Sequence, residues 1–165
     1  MIKRRLLYAS IIVGVVLLQG ALSPYIVIYG GTINLPAILV VCLALHHGAE
    51  RGMYLGLVTG LLADIVVGGS IGFMALPLAV IGFAAGQLGT HLSKDAFVVP
   101  VIAGMLSVVF FEVSLFILYR LAHGFFLIAA FRDGFLARIL LNGALMPLAI
   151  HLVNRVIPRP ELELR

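Results

Sequence analysis

Residues 52–67 read GMYLGLVTGLLADIVV, an almost entirely apolar run that holds three glycines and one aspartate. Gly52, Gly56, Gly60 and Asp64 recur at every fourth position, so in a helix they share one face. Small residues at this spacing allow a second helix to approach until the two backbones nearly touch, which favours helix association inside a membrane. The run therefore predicts a transmembrane helix whose glycine face packs against another helix.

The next apolar segment, 71–91, repeats the pattern with Gly82 and Gly86, again four residues apart. Only 68–70 (GGS) separates the two segments, so we expect antiparallel neighbours that pack on each other. The glycines of both segments are therefore predicted to form either an internal helix–helix contact or an interface with a partner protein.

Composition extends this interpretation to the whole chain. Of 165 residues, 62% are hydrophobic and 11% are charged, with a mean hydropathy of +1.19, whereas a soluble domain is about half apolar and about a quarter charged. The sequence predicts one transmembrane domain over 1–165, an all-α helical bundle with short spans at 6–28, 35–46, 52–67, 71–91, 98–119 and 135–153. The apolar stretch 125–131 is too short to span, and we expect it to lie along the interface or to re-enter.

The distribution of Lys and Arg predicts the orientation in the bilayer. With the amino terminus in the cytoplasm, eight of these residues fall inside and three outside, as the positive-inside rule requires. We therefore expect both termini to be cytoplasmic. The basic residues form no continuous face, which argues against nucleic acid as a partner. The inside set is Lys3, Arg4, Arg5, Arg51, Lys94, Arg155, Arg159 and Arg165, and the outside set is Arg120, Arg132 and Arg138.

Three ionisable residues lie inside the predicted spans, where a charge costs about 3 kcal/mol or more at the bilayer centre. Asp64, Glu112 and Arg138 fall at similar depths, about one to two turns from the outer ends of their helices. We expect an intramembrane polar cluster in which Arg138 bridges the two carboxylates and Asn142, one turn below, adds hydrogen bonds. Two interpretations remain open: a structural lock between helices, or part of a ligand pocket or proton relay.

No catalytic set emerges from the sequence. Residues 133–138, DGFLAR, match the opening of a signature of enzymes that transfer phosphate-linked alcohols, but that chemistry needs further aspartates for its metals, and none follows Asp133. The single cysteine, Cys42, excludes an intrachain disulfide. His46 and Glu50 have the spacing of a metal-binding pair, yet two ligands without a third are a weak signal. We expect no enzyme activity, no cofactor and no metal.

Short polar and glycine motifs occur along nearly the whole chain. They are Gln19 and Pro24, Asn34 to Pro36, then Gly56, Gly60, Asp64, Gly69, Ser70 and Gly72, and in the last span Asn142, Gly143, Pro147 and Arg155. These motifs resemble those of the rod shape-determining protein MreD family, of which the most specific is a Gly-x-x-x-Gly-x-x-x-Asp run followed by a Gly-Ser turn and another glycine. The acidic Glu112 and the basic Arg138 are not assigned to the family pattern.

The resemblance implies a function that the residues alone do not. It implies a non-enzymatic subunit of the bacterial cell-elongation complex, embedded in the lipids of the inner membrane, that binds the single-span protein MreC. Such a subunit helps to couple cytoplasmic MreB filaments to the peptidoglycan synthases, RodA and a penicillin-binding transpeptidase. The helix arrangement is also similar to the substrate-binding subunits of energy-coupling-factor transporters, so a small-molecule or lipid carrier is the alternative.

The surface that binds the partner helix is expected to be rich in Gly or Ala and not used by internal packing. The substitution Gly56→Leu tests this expectation, because a bulky side chain at an interface would prevent co-purification of the partner.

Overall fold

The computed structural model describes residues 2–22, 25–68, 70–91, 98–123 and 134–156. Pro24, Gly69, the stretch 125–131 and the chain after 156 lie outside the described residues. Within these ranges the chain forms six helices and one small hairpin, which confirms the predicted all-α class. The helices are α1 (Ile2–Leu22), α2 (Leu35–His47), α3 (Ala49–Val67), α4 (Ala75–His91), α5 (Val98–His123) and α6 (Phe135–Val156), and the strands are β1 (Val27–Ile28) and β2 (Gly31–Thr32).

Two of the described helices are long and apolar enough to cross a bilayer, through the segments Pro100–Ala122 in α5 and Phe135–Arg155 in α6. Shorter apolar helices cover Leu6–Leu22, Leu35–His47 and Ala75–Gly89. Most residues of both long segments are not buried inside the protein, and exposed apolar side chains such as Leu106 and Leu140 need lipid rather than water around them. Crossing of the bilayer by all six helices stays a prediction.

The first helix is shorter than the predicted span, which continued to 28. It ends at Leu22, and the chain then forms the β1–β2 hairpin. Ile28 pairs with Gly31, so Tyr29 and Gly30 make a two-residue turn, and their φ angles are 51° and 76°. Positive φ at both central residues defines a type I′ turn, whose twist suits a hairpin. The β-branched residues before the turn are the signal that a count of apolar residues missed.

The remaining boundaries differ from the prediction by a few residues. The predicted fourth span began at 71, but 71–74 form turns and α4 begins at Ala75. The predicted fifth and sixth spans ended at 119 and 153, whereas α5 continues to His123 and α6 to Val156. A single residue, Gly48 with a φ of 84°, separates α2 from α3.

The second helix is the centre of the bundle and contacts each of the other five helices. Its residues 36–45 are all buried. Pro36 lies in the first turn, where the missing N–H has no helical partner to lose. Asn34 caps the helix, because its side-chain oxygen accepts a hydrogen bond from the N–H of Ala37 at 3.1 Å. The buried side chains that pack with α2 are Leu78, Phe111 and Met146 on one side, and Ile12, Val16 and Ala63 on the other.

The glycine face of α3 packs directly on α4. A Cβ added at Gly56 would overlap the backbone carbonyl of Leu78, and one at Gly60 would overlap the backbone of Ala75. The five predicted interface glycines therefore form an internal contact between these two helices. Gly56→Leu, proposed as a test of partner binding, would instead disrupt the α3–α4 contact. The other three members of the contact are Gly52 and Gly82, which face each other, and Gly86, which lies against 48–49.

Candidate functional site

Asp64 directs its carboxylate at the beginning of α4. The residue is 3% exposed, and its oxygens accept hydrogen bonds from the N–H groups of Gly72 at 2.7 Å, Met74 at 2.9 Å and Ala75 at 3.3 Å. Backbone N–H groups at a helix start lack helical partners, and the helix dipole favours a negative charge there. Asp64 thus joins the end of α3 to the beginning of α4, where a bridge to Arg138 had been expected.

Two residues of the family motif, Ser70 and Gly72, lie in the turn between α3 and α4. Gly72 has a φ of 102°, which favours glycine, and its N–H makes the shortest of the hydrogen bonds to Asp64. Ser70 is exposed in the same turn. Pro147, another residue of the family motif, lies inside α6, where its ring removes one helical hydrogen bond.

Arg138 and Glu112 form an ion pair between α6 and α5. The Nη1 of Arg138 donates a hydrogen bond to Oε2 of Glu112 at 2.7 Å, and each side chain is 18% exposed. An isolated charge at membrane depth is costly, and a hydrogen-bonded opposite charge offsets that cost. The structure therefore brings together two of the three predicted charges.

Asn142 links α6 to the segment between β2 and α2. Its side chain is fully buried, and its Oδ1 accepts a hydrogen bond from the N–H of Asn34 at 2.8 Å. Its Nδ2 donates to the carbonyl oxygens of Arg138 at 2.7 Å and Thr32 at 3.3 Å. The whole amide is thus used on backbone groups that join helix and loop, whereas the sequence predicted hydrogen bonds to the charged side chains.

Gln19 attaches α1 to the same segment. Its Nε2 donates to the carbonyl of Ile33 at 3.0 Å, and its Oε1 accepts from the N–H of Leu35 at 2.9 Å. The residue entered the prediction only through its place in the family motif. An uncharged amide in an otherwise apolar span was the available signal, because such a group needs hydrogen-bond partners inside the protein.

These polar side chains surround a cavity of about 560 Å³. It lies where α1 and α3 end and α2, α4 and α6 begin, beside the middle of α5, towards the outer end in the predicted orientation. A mostly apolar cavity with a few convergent polar groups is the usual form of a small-ligand site, and such sites measure about 300–1,000 Å³. Its polar wall consists of Gln19, Thr32, Asn34, Glu112, Arg138 and Asn142, and its apolar wall includes Val16, Val66, Leu78, Val108 and Phe111.

Two histidines fix the opposite end of α2. His46 is hydrogen-bonded through Nε2 to the side chain of Asn154 in α6, and His47 through Nε2 to the hydroxyl of Tyr8 in α1 at 2.8 Å. The Nδ1 of each imidazole faces a backbone carbonyl one turn earlier in α2. These contacts give both histidines a structural role between three helices. In the described ranges, no three His, Cys, Asp or Glu residues form a group suited to a metal ion.

The buried helical centre, the apolar outer helices and the polar groups hidden between them define the class: an all-α, polytopic membrane protein. The family model for the rod shape-determining protein MreD matches residues 3–156, from α1 to the end of α6. The chain belongs to the MreD family, and through this membership it has a role in the determination of rod shape. Comparison with individual curated proteins gives no match.

Proposed function

We propose that this protein is a non-enzymatic membrane scaffold of the bacterial cell-elongation complex. The observation that carries the proposal is the family match over 3–156. In this role the protein lies in the inner membrane with both termini in the cytoplasm and binds a single-span protein of the MreC type. Through that complex it helps to organise MreB filaments, RodA and a penicillin-binding transpeptidase around peptidoglycan synthesis.

The use of the polar side chains supports a scaffold rather than an enzyme. Asp64 binds backbone N–H groups at the start of α4, and Gln19 and Asn142 bind backbone groups around β2 and α2. Each of these side chains connects two elements of the bundle. Such contacts favour one fixed helix arrangement, which a protein that presents surfaces to several partners requires.

The exposed face of α1 is the proposed docking surface for the single-span partner. Ser10 and Gly14 lie four residues apart on this face, and both are exposed. A Cβ added at Gly14 would meet no atom within 4 Å. Two small residues at this spacing allow a partner helix to approach closely. Unlike Gly56, they are not used by contacts inside the bundle, which is the second of the two conditions stated for the partner surface. The first is met by Gly14, and Ser10 adds another small residue.

Co-purification in a mild detergent tests the proposal. The wild-type chain is co-expressed with the MreC protein of the same bacterium, and recovery of MreC is quantified. We expect Gly14→Leu to leave the fold intact, because the new side chain enters open space, and to reduce MreC recovery about tenfold. Ala144→Leu is the matched control, because it places the same side chain on an exposed position of α6.

Two outcomes would contradict these statements. Failure of the wild-type chain to retain MreC would overturn the scaffold proposal. Normal recovery with Gly14→Leu, together with loss of MreC in Ala144→Leu, would move the interface from α1 to α6.

A carrier of small molecules or lipids is the second candidate, and the cavity at the outer end of the bundle favours it. Mass spectrometry of the purified protein separates the two functions. A tightly retained small molecule, with no single-span protein in the preparation, would favour the carrier.

A further inference from the structure

The wall of the outer cavity carries a cation and an anion side by side. Arg138 from α6 and Glu112 from α5 both line it, joined by the 2.7 Å contact between Nη1 and Oε2. The pair has no net formal charge, but its two ends present opposite charges to anything that enters the cavity. The other polar side chains around it are engaged differently, since Gln19 and Asn142 use both ends of their amides on backbone groups.

The chemistry of this pair selects among ligand classes. A singly charged anion would draw Arg138 from Glu112 and leave a carboxylate without its counter-charge at membrane depth, which is costly. A singly charged cation would do the same to Arg138. A zwitterion avoids both costs, because its cationic group meets Glu112 while its anionic group meets Arg138. One ion pair is then replaced by two, with no charge left over.

The rest of the cavity accommodates an apolar group. Val16, Val66 and Leu78 line it from α1, α3 and α4, and Val108 and Phe111 from α5. Its volume of about 560 Å³ lies well inside the range of about 300–1,000 Å³ for small-ligand sites and leaves space beyond a small charged group. We propose that the cavity binds an amphipathic zwitterion, with an ammonium group at Glu112, a phosphate or carboxylate at Arg138, and an apolar part against these side chains. This inference goes beyond the scaffold role and does not depend on it.

Binding of three probes to the purified full-length protein tests the inference. Phosphatidylethanolamine carries an ammonium and a phosphate, phosphatidylglycerol carries the phosphate alone, and glycerophosphoethanolamine is the zwitterionic headgroup without acyl chains. Native mass spectrometry in detergent gives an apparent Kd for each. We expect phosphatidylethanolamine to bind about tenfold more tightly than phosphatidylglycerol, because only the former satisfies both charges. Equal affinities for these two lipids would overturn the inference.

The third probe identifies the source of the ligand. Weaker binding of glycerophosphoethanolamine than of the intact lipid would assign the site to a membrane lipid. Binding as tight as that of the lipid would assign it to a soluble zwitterion. Absence of binding by both zwitterionic probes would overturn the inference.

Substitutions then test the geometry. Glu112→Gln removes the anion and leaves a positive wall, so the preference should reverse and phosphatidylglycerol should bind more tightly than phosphatidylethanolamine. Loss of fold cannot produce such a reversal, and an unchanged preference in the folded variant would overturn the assignment of Glu112.

A second variant leaves the ion pair intact. Val108 lies one helical turn before Glu112 on α5, so Val108→Phe fills the cavity beside the carboxylate. We expect about a tenfold loss of phosphatidylethanolamine binding, the cost of one displaced contact to a charged group. Val113→Phe, the same change at an exposed position of α5, should bind as the wild type does. Unchanged binding by folded Val108→Phe, or an equal loss in Val113→Phe, would overturn the inference.

Discussion

Replacement of Asp64 measures how strongly one carboxylate connects α3 to α4. The side chain is 3% exposed and accepts hydrogen bonds from three backbone N–H groups, two of them at 2.7 and 2.9 Å and the third at 3.3 Å. A hydrogen bond to a charged group contributes about 1.5–3 kcal/mol, and removal of the acceptor leaves buried donors unsatisfied. Counting the two shorter bonds fully and the third as weak, we expect Asp64→Ala to destabilise the protein by about 4 kcal/mol.

Asp64→Asn separates charge from shape. The remaining carbonyl oxygen can keep the two contacts of Oδ2, to Gly72 and Ala75. The new amide group then faces the N–H of Met74, so two donors oppose each other. Loss of that bond and of the negative charge at the start of α4 should cost about 2 kcal/mol, half the effect of Asp64→Ala.

Reversible unfolding in mixed micelles with an anionic detergent gives these free energies, and hydrogen exchange locates the effect. Exchange of the Gly72 and Met74 amides should accelerate more than exchange elsewhere in α4. Glu50→Ala is the control, because this exposed carboxylate in the first turn of α3 should change stability by about 0.5 kcal/mol. If Asp64→Ala were no less stable than Glu50→Ala, the role of Asp64 in joining the two helices would be refuted.

Three further predictions can be checked in the same unfolding assay. Glu112→Arg and Arg138→Glu should each lower the free energy of unfolding by about 3–5 kcal/mol. The double variant with both changes should recover most of that loss, and additive losses would contradict the pairing. Gly134→Ala should lower the free energy of unfolding by about 3 kcal/mol, because φ is 78° and the added Cβ overlaps the hairpin backbone. Gly68→Ala should lower it by only about 1 kcal/mol, because φ is a similar 73° but the space around the added Cβ is open. Gly56→Leu should lose more than about 3 kcal/mol, since its side chain meets the α4 backbone; a monodisperse, stable variant would argue against that contact.

The helices and the glycine contact were predictable because their signals are local. A repeat of four residues places glycines on one face whatever the rest of the chain does. The same repeat also indicates where the Asp64 side chain points, because Asp64 continues the series of Gly56 and Gly60. A residue on the glycine face points at the helix that the glycines contact, so the repeat itself indicates α4 as the partner of Asp64. The expectation that a buried carboxylate pairs with an opposite charge pointed to Arg138 instead.

The cavity was beyond prediction from local pattern. The N–H of Asn34 and the Oδ1 of Asn142 that meet beside it are 108 residues apart in the chain. Their contact depends on the hairpin, which reverses the chain after α1 and brings Thr32 within reach of α6. A count of apolar residues carries no information about such a reversal, because it treats the β-branched residues 26–28 like any other apolar residues of a span.

The shortness of α2 has a consequence for biogenesis. Its 13 residues extend about 20 Å at about 1.5 Å per residue, whereas the hydrocarbon core is about 30 Å thick. Released alone into lipid by the translocation machinery, this helix would leave polar backbone at its ends inside the hydrocarbon. Because Gly48 alone joins it to α3, the two helices enter most favourably together as one hairpin. The central element of the bundle is therefore the one least able to insert independently.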